Sequence, residues 1–350
     1  MPQPVRSTLH RFVPSHFGDP VGLALRLLRT RDGAAYFAMA SAALGVVLSP
    51  LDLMLQPRER RLYRAASAPR LPLIFVCGPP RSGTTLVTQV LLRNLPVASI
   101  NNLTSLFPRA PVTANRWFGR WLPRHPPTYQ SYYGKSRHFS GPNDGLYLWD
   151  RWLGADRTQL QTSLTPAARD GMIRFFGAWE ALTGRPLVAK NNNLNGHAAL
   201  VGEVLPGARF ICMRRDPRFL AQALLIARRT IHGRDDLPYG LRDPAAEHCN
   251  DPVEDVCRQV LFYERLAAEQ LERLGPERFW SLSYEEFCDD PAALVERVSQ
   301  AVLGRPAPAD HRDPGLAPFS SSNTIKLDPE QFAELERTLE RLSREEAPAR

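Results

Sequence analysis

The stretch that decides the fold is Leu73-Ile-Phe-Val-Cys-Gly-Pro-Pro-Arg-Ser-Gly-Thr-Thr85, followed by an apolar decapeptide. Residues 73–77 are apolar and predict a buried strand, and the decapeptide predicts a helix with one apolar face. That face comprises Leu86, Val87, Val90, Leu91 and Leu95. Between strand and helix, Gly78 and Gly83 have the spacing of a loop that cradles phosphate groups. The N–H groups of such a loop and of the following helix start favour an anion.

One position separates this loop from the loops that bind nucleoside triphosphates. Where those loops carry a lysine, this chain has Thr84, and the nearest cation is Arg81 inside the loop. A triphosphate site without that lysine lacks the charge that reaches the terminal phosphates. The loop therefore suits a compact anion better than a metal-bound triphosphate.

A second motif follows another predicted strand, residues 209–213, which runs into Arg214-Arg215-Asp216-Pro217-Arg218. Pro217 suits the first turn of a helix. Arginine suits a phosphate because its planar fork donates two parallel charge-assisted hydrogen bonds. The alternative interpretation of this motif is a basic loop whose arginines are solvated.

The third motif is Phe279-Trp-Ser-Leu-Ser-Tyr-Glu-Glu-Phe287 with Asp290-Pro291 behind it. In this order, the three motifs resemble those of sulfotransferases that use 3′-phosphoadenosine 5′-phosphosulfate (PAPS), in the bacterial and tyrosylprotein-sulfotransferase-like branch. The resemblance implies an α/β, P-loop-like fold, a three-layer parallel sheet flanked by helices, with PAPS as co-substrate and no metal.

The same resemblance implies which residues contact the nucleotide. The 5′-phosphosulfate would lie on the loop, and Arg215 would bind the 3′-phosphate. Tyr284 belongs to the third motif, and the segment that contains Ser320 and Lys326 resembles one that folds over the nucleotide. The implied loop contacts are Arg81, Ser82, Gly83, Thr84, Thr85 and Leu86.

Two positions depart from the family pattern. A serine usually stands eight residues beyond the 3′-phosphate arginine, where this chain has Ala223. Either nearby groups replace its hydroxyl, with Arg228, Arg229 and Thr230 as candidates, or nucleotide affinity is reduced. The tyrosylprotein branch also has a glutamate base after the loop, where this chain has Asn101-Asn102.

Since asparagine cannot accept the proton of the acceptor hydroxyl, the base must come from elsewhere. The local candidates are Asp144 and His138, ahead of Asp150. An imidazole is a suitable base near neutral pH, whereas Asp144 lies in a Gly-Pro-Asn-Asp stretch that also suits an ordinary turn. Lys190 ends a predicted strand and resembles a family lysine that contacts the sulfuryl group or the acceptor.

Four predicted strands alternate with helices, which favours a parallel sheet with ligands outside the strand ends. The strands are residues 73–77, 187–190, 209–213 and 279–283, and proline-initiated helices are predicted at Pro166, Pro252, Pro291 and Pro329. We expect an N-terminal helical extension at 1–70 and a sulfotransferase domain at 71–350. Its acceptor-side insert, 99–160, is rich in Pro, Asn and aromatic residues and predicts pocket walls rather than regular elements.

The chain has 44 Lys and Arg against 36 Asp and Glu, an excess that suits nucleic acid, a membrane surface or an anionic nucleotide. Because no basic run is interleaved with aromatics, the nucleotide interpretation is favoured and nucleic acid is not expected. The five cysteines show no C-x-x-C spacing, which argues against zinc and a disulfide framework and indicates a reducing cytoplasm.

An apolar run at residues 34–48 begins too late for a signal peptide. It is shorter than the about 20 residues that span a membrane. It predicts a buried or partner-facing helix, a helix on the membrane surface, or a span. The expected location is therefore cytoplasmic, with membrane association through 34–48 as an open alternative.

The function predicted from these patterns is transfer of a sulfuryl group from PAPS to a hydroxyl of a small molecule, glycan or lipid. Two alternatives share the fold. One is a P-loop nucleotide kinase, against which Thr84 and the Arg-Asp-Pro motif argue. The other is a non-catalytic nucleotide-binding protein, suggested by Ala223 and the missing glutamate. The oligomeric state and the acceptor are left open.

Overall fold

The computed structural model describes residues 20–123, 128–129, 131, 134, 136–246, 249–306 and 313–346. Within them, four strands form one sheet in the order β2-β1-β3-β4, with every pairing parallel. The strands are Leu73–Cys77 (β1), Leu187–Lys190 (β2), Ala208–Arg214 (β3) and Phe279–Ser283 (β4). All four lie where the sequence predicts them, which confirms the parallel α/β fold.

The helices of the described residues, in chain order, are Pro20–Arg29 (α1), Gly33–Val47 (α2), Ser49–Ala65 (α3), Thr84–Asn94 (α4), Asn102–Leu106 (α5), Pro111–Phe118 (α6), Leu146–Leu153 (α7), Pro166–Thr183 (α8), Leu194–Val204 (α9), Pro217–His232 (α10), Pro252–Leu274 (α11), Tyr284–Asp289 (α12), Pro291–Leu303 (α13) and Pro329–Glu346 (α14).

Helices cover both faces of the sheet because successive strand side chains point to opposite sides. On one face, Phe75 and Phe210 pack with apolar side chains of α7, α8 and α9. On the other, Ile74 and Val76 pack with side chains of α4 and α13. The sheet is thus the middle of three layers, as predicted. A further cluster joins α10, α11 and α14.

The predicted helix starts are confirmed by their caps. Thr165 accepts a hydrogen bond from the Ala168 N–H at α8, and Asp251 accepts one from the Val253 N–H at α11. Asp290 accepts from the Ala293 N–H at α13, which ends at Gly304 in the left-handed region. Each of the three has proline in its first turn, where no N–H is needed.

The expectation that residues 99–160 lack regular elements is wrong, because α5, α6 and α7 lie there. The proline at the start of α6 occupies its first turn, and the Asn101 side chain caps α5. In α7, Leu148, Trp149 and Trp152 share a face that is buried in the core. Proline and asparagine begin these helices instead of preventing them.

Helices α2 and α3 pack on this insert, whereas α1 packs on α10 and α2. Asp52 and Glu59 of α3 are both buried, and each accepts hydrogen bonds from the insert backbone. Helix α2 has only Ala34, Ala35 and Gly45 buried, so burial does not extend along the apolar run. In the described part of the chain, no one helix has the length and apolar composition for a membrane span. Helices α2 and α3, bent by 71° at their junction, meet those criteria only as a pair.

Candidate active site

The glycine loop after β1 has the geometry that its sequence predicts. Gly78 has φ 130°, and a β-carbon there would lie 2.4 Å from the Met213 carbonyl oxygen of β3. Gly83 has φ 94°, and a β-carbon there would lie 2.6 Å from Cδ2 of Tyr284. Neither position accommodates a side chain, so the loop lies directly on β3 and on the start of α12.

Helix α4 begins immediately after this loop with N–H groups available for an anion. Its first intrahelical hydrogen bond runs from the Val87 N–H to the Gly83 carbonyl. The N–H groups of Thr84, Thr85 and Leu86 come before that bond, at the positive end of the helix dipole. Ser82 is buried, and both its N–H and its hydroxyl donate to the Pro79 carbonyl, so this side chain holds the loop.

Arg81 connects the loop to the second motif. Its side chain is exposed, its φ is 75°, and its carbonyl accepts a 2.8 Å hydrogen bond from Nη1 of Arg215. The two residues are 134 positions apart. The predicted 5′- and 3′-phosphate motifs therefore meet at the same edge of the sheet.

The guanidinium of Arg215 is buried among neutral groups. It lies 5.0 Å from the centre of the Tyr284 ring, Nε donates to Asn323 Oδ1 at 2.8 Å, and Nη2 donates to the Ser322 hydroxyl at 3.1 Å. The side chain is 7% exposed, and no carboxylate of the described residues forms an ion pair with it. Burial lowers the pKa of Arg215 from its ordinary value. Arginine nevertheless stays protonated in proteins. This buried cation makes no direct ion pair among the described residues, and the Glu285 carboxylate attracts it only across the bridging Asn323.

Residues 320–326 lie across this arginine and are fixed by backbone contacts. The Ser322 N–H donates to the Tyr284 hydroxyl at 3.2 Å, and the Lys326 N–H donates to Gln222 Oε1 at 2.6 Å. The amide group of Gln222 in turn donates to the Thr324 carbonyl at 2.8 Å. The side chains of Ser320 and Lys326 are exposed, so their predicted nucleotide contacts stay predictions.

Glu285 holds both this segment and the second motif. It accepts hydrogen bonds from Nδ2 of Asn323 at 2.6 Å and from the Asp216 N–H at 3.1 Å. Burial raises the pKa of Glu285, but these hydrogen bonds and one from Ser283 outweigh it, so the pKa lies below its ordinary value. An ionised Glu285 is therefore part of the architecture around Arg215.

On the acceptor side, three side chains from separate elements meet. Nζ of Lys190, at the end of β2, lies 2.5 Å from Asp144 Oδ1 and donates to Thr85 Oγ1 at 2.9 Å. Lys190 is 4% exposed and Asp144 is 14% exposed. A β-carbon on Gly134 would lie 3.1 Å from this Nζ, so the insert backbone covers the pair. One of the predicted bases thus lies beside the start of α4.

The other two predicted bases are placed differently. His138 is exposed in a left-handed turn, and its carbonyl accepts from the Asn102 amide. Asp150 forms a two-pronged ion pair with Arg157, with bonds of 2.8 and 2.7 Å. Both carboxylates are therefore paired, Asp150 with Arg157 and Asp144 with Lys190, and the Lys190 pair is the one that contacts the start of α4. Asn102, at the position of the missing glutamate, orders the turn that carries His138.

The sequence model of the sulfotransferase family matches residues 72–306. The chain belongs to this family. The match contains the glycine loop, the Arg215 motif and the third motif. It covers the strands and helices that build the site described above.

Individual sulfotransferases resemble the chain more distantly. The omega-hydroxy-beta-dihydromenaquinone-9 sulfotransferases Stf3 of Mycobacterium bovis and Mycobacterium tuberculosis are 25% identical over 179 residues, which are 51% of this chain. The match spans only 39% of the length of these relatives.

Two solved sulfotransferase structures share the fold. STF9 of Mycobacterium avium has a TM-score of 0.50 at 15% identity, covering 99% of this chain and 90% of its own. STF1 of Mycobacterium tuberculosis H37Rv has a TM-score of 0.51 at 13% identity, covering 86% of each chain. At these identities the likeness concerns the fold alone.

The groups considered as replacements for the sulfotransferase serine at Ala223 have partners of their own. Arg228 is fully buried and lies 2.7 Å from Asp255. Arg229 pairs with Asp235, and the Thr230 hydroxyl donates to the Ile226 carbonyl. None of these contacts is with the loop or with Arg215. Reduced nucleotide affinity through Ala223 stays a prediction.

Sequence reasoning missed several groups that position the site. Asn192 accepts a hydrogen bond from the Thr84 hydroxyl at 3.1 Å, and Glu285 fixes the start of α10. Both residues come just after predicted strands. Polar residues at the ends of strands were therefore the sequence signal that could have identified them. Within the described ranges, no cluster of three or more His, Cys, Asp or Glu side chains could hold a metal ion.

Proposed function

We propose that this sulfotransferase-family protein transfers a sulfuryl group from PAPS to a hydroxyl group. The observation that carries the proposal is the buried cation of Arg215, which has neutral partners and contacts the glycine loop through the Arg81 carbonyl. A buried charge without a direct ion pair is costly, and an anion that binds there reduces the cost. A nucleotide with a phosphate at each end matches both the loop and this arginine.

In this proposal the 5′-phosphosulfate takes the N–H groups at the start of α4 and the exposed Arg81. Four of the five N–H groups of Arg215 donate to Asn323, to the Arg81 carbonyl and to Ser322, so the 3′-phosphate takes the remaining N–H on Nη1. Thr84 occupies the position of the triphosphate lysine, which favours PAPS over a metal-bound nucleoside triphosphate. Residues 320–326 would close over the nucleotide.

The acceptor oxygen attacks sulfur, a new S–O bond forms, and the bond between sulfur and the 5′-phosphate oxygen breaks. The hydroxyl proton passes to a base, for which we propose Asp144. Negative charge develops on the departing phosphate, and 3′-phosphoadenosine 5′-phosphate leaves. The N–H groups of α4, Arg81 and Lys190 would stabilise that charge, because donors fixed in place need no reorganisation.

Small molecules, glycans and lipids all remain acceptor classes within this proposal. The name of the Stf3 relatives, which gives an omega-hydroxylated dihydromenaquinone as what they act on, favours a lipid alcohol as the first class to test. We further propose a cytoplasmic location with membrane association, consistent with five cysteines that form no disulfide.

Calorimetric titration separates the proposal from its alternatives. We expect tight binding of 3′-phosphoadenosine 5′-phosphate and weak binding of ATP with Mg²⁺. The reverse order would indicate a nucleotide kinase. Incubation with ³⁵S-labelled PAPS and a panel of lipid, glycan and small-molecule alcohols then tests transfer. Nucleotide binding without transfer to any acceptor would indicate a non-catalytic binding protein.

A further inference from the structure

A cavity of about 400 Å³ lies between α3 and α6, outside the proposed active site. Its lining residues recur at helical spacing on each helix, so two facing stripes form its walls. We call it the basic cavity, and its lining consists of Arg58, Arg61, Leu62, Ala65, Thr113, Arg116 and Trp117.

The positive charge of this cavity is not neutralised. Arg58, Arg61 and Arg116 are exposed, and none forms an ion pair within the described part of the chain. The two carboxylates of α3, Asp52 and Glu59, are buried and used elsewhere. They accept hydrogen bonds from the N–H groups of residues 109–110 and 112–113.

Trp117 adds an aromatic wall to the basic cavity. The guanidinium of Arg58 lies 4.9 Å from the centre of the Trp117 ring, and the Trp117 side chain is 37% exposed. Tryptophan is enriched where a protein meets the headgroup region of a membrane, because its ring is apolar with one polar edge. Arginines beside such a ring suit a phosphate-bearing headgroup.

The bend between α2 and α3 exposes apolar side chains, and α3 also carries two of the cavity arginines. We call residues 44–54 the elbow, and its exposed apolar side chains are Leu44, Val46, Val47, Leu53 and Met54. Val47 is 73% exposed and Met54 is 76% exposed. Because Met54, Arg58 and Arg61 recur at i, i+4 and i+7, they share one face of α3.

Helix α2 extends the same surface away from the elbow. It contains no charged residue, yet only Ala34, Ala35 and Gly45 of its fifteen residues are buried. An apolar patch of this kind beside basic residues is the composition of a membrane-surface element.

We propose that the elbow and the basic cavity dock the protein on an anionic phospholipid membrane. Headgroup phosphates would bind Arg58, Arg61 and Arg116, and the elbow side chains would enter the boundary between headgroups and acyl chains. A symmetric second copy fits less well, since a two-fold interface would bring the same arginines together. The inference does not depend on the sulfotransfer reaction.

Co-sedimentation of the full chain with vesicles tests the docking. We compare phosphatidylcholine vesicles with vesicles that also contain phosphatidylglycerol, and expect at least about tenfold stronger binding to the latter, weakened by added salt. The triple variant R58Q/R61Q/R116Q should lose that preference. The elbow variant V47S/M54S should weaken binding to both kinds of vesicle.

The matched control removes three exposed arginines from α11 and α14, as R273Q/R337Q/R344Q, and should bind like the wild type. All variants should keep the wild-type melting temperature and affinity for 3′-phosphoadenosine 5′-phosphate, which excludes misfolding and an active-site effect. Equal losses in the control and the triple variant would overturn the proposal, since net charge alone would then explain binding.

Three other results would also overturn it. The first is no vesicle binding by the full chain. The second is a dimer in sedimentation equilibrium that V47S/M54S dissociates, without vesicle binding. The third is saturable binding of glycerol 3-phosphate, abolished in R58Q/R61Q/R116Q, without vesicle binding, which would indicate a site for a soluble anion.

Discussion

The ammonium group of Lys190 lies 2.5 Å from Asp144 Oδ1, which joins the end of β2 to the acceptor-side insert. The same ammonium group donates to Thr85 at the start of α4. A carboxylate is thereby fixed beside the helix end that we propose for the phosphosulfate. Neither the loop nor the insert would position it alone.

We expect Asp144→Asn to lower turnover by about 10²- to 10⁴-fold, the range for loss of a general base. Affinity for 3′-phosphoadenosine 5′-phosphate should be unchanged, because Asp144 lies on the acceptor side. Single-turnover kinetics and calorimetric titration measure the two effects. Asp150→Asn is the matched control, since its carboxylate is paired with Arg157.

His138 is the competing base, and the pH profile distinguishes it. If His138 were the base, His138→Gln would lose activity, and the wild type would show an acidic limb near the ordinary histidine pKa of about 6.5. We expect neither result. Normal turnover in Asp144→Asn would contradict the assignment of the base.

Arg81→Ala should abolish transfer without changing the melting curve. The side chain is exposed, and the contact with Arg215 uses the Arg81 carbonyl, which the variant retains. Arg297→Ala, another exposed arginine, removes the same charge from α13 and should stay active. Near-wild-type transfer by Arg81→Ala would refute the assignment of the loop.

Arg215→Ala should lower the affinity for 3′-phosphoadenosine 5′-phosphate by about tenfold to a hundredfold, the equivalent of roughly 1.5–3 kcal/mol for a charge-assisted hydrogen bond. The affinity for adenosine 5′-phosphate should fall much less. A second variant, Ala223→Ser, should have the opposite effect and tighten binding of the 3′-phosphorylated nucleotide, because it restores a hydroxyl donor. Equal losses for both nucleotides would mean that Arg215 does not bind the 3′-phosphate.

The contribution of Glu285 to stability should depend on pH. Its pKa is below the ordinary carboxyl value, so the folded state favours the ionised form. The stabilisation is therefore complete above the unfolded pKa of about 4.3 and is lost as the pH falls through the lower folded value. Glu285→Gln should be less stable than the wild type at pH 7, and this difference should shrink in acid.

Urea unfolding of both proteins across that pH range measures the difference. Limited proteolysis adds a local readout, because Glu285 holds Asn323 and hence residues 320–326. Faster cleavage of that segment in Glu285→Gln at neutral pH is expected. A stability difference that is constant with pH would show that ionisation of Glu285 is irrelevant.

The fold could be predicted where local pattern decides it. β1 to β4 are short apolar runs, and Thr165, Asp251 and Asp290 cap their helices with partners two or three residues away. Pairing across the chain could not be predicted in this way. The Lys190 ion pair joins residues 46 positions apart on separate elements, and its partner depends on how the insert folds over the sheet.

The insert itself shows the limit of composition as a guide. Its many Pro and Asn residues predicted irregular structure, yet a proline begins α6 and an asparagine caps α5. The exposure of α2 was also beyond prediction, because an apolar sequence does not reveal whether other parts of the chain cover it. In both cases the outcome depended on where the residues lie relative to neighbouring parts of the structure.

The buried cation of Arg215 has a consequence for the lifetime of the protein. Until an anion arrives, no direct ion pair compensates its desolvation. Any ligand that binds the folded state alone raises the stability of the protein by mass action. The donor nucleotide would then act as a folding ligand. A cell short of activated sulfate would hold less of the protein, because the empty form unfolds and is degraded more often.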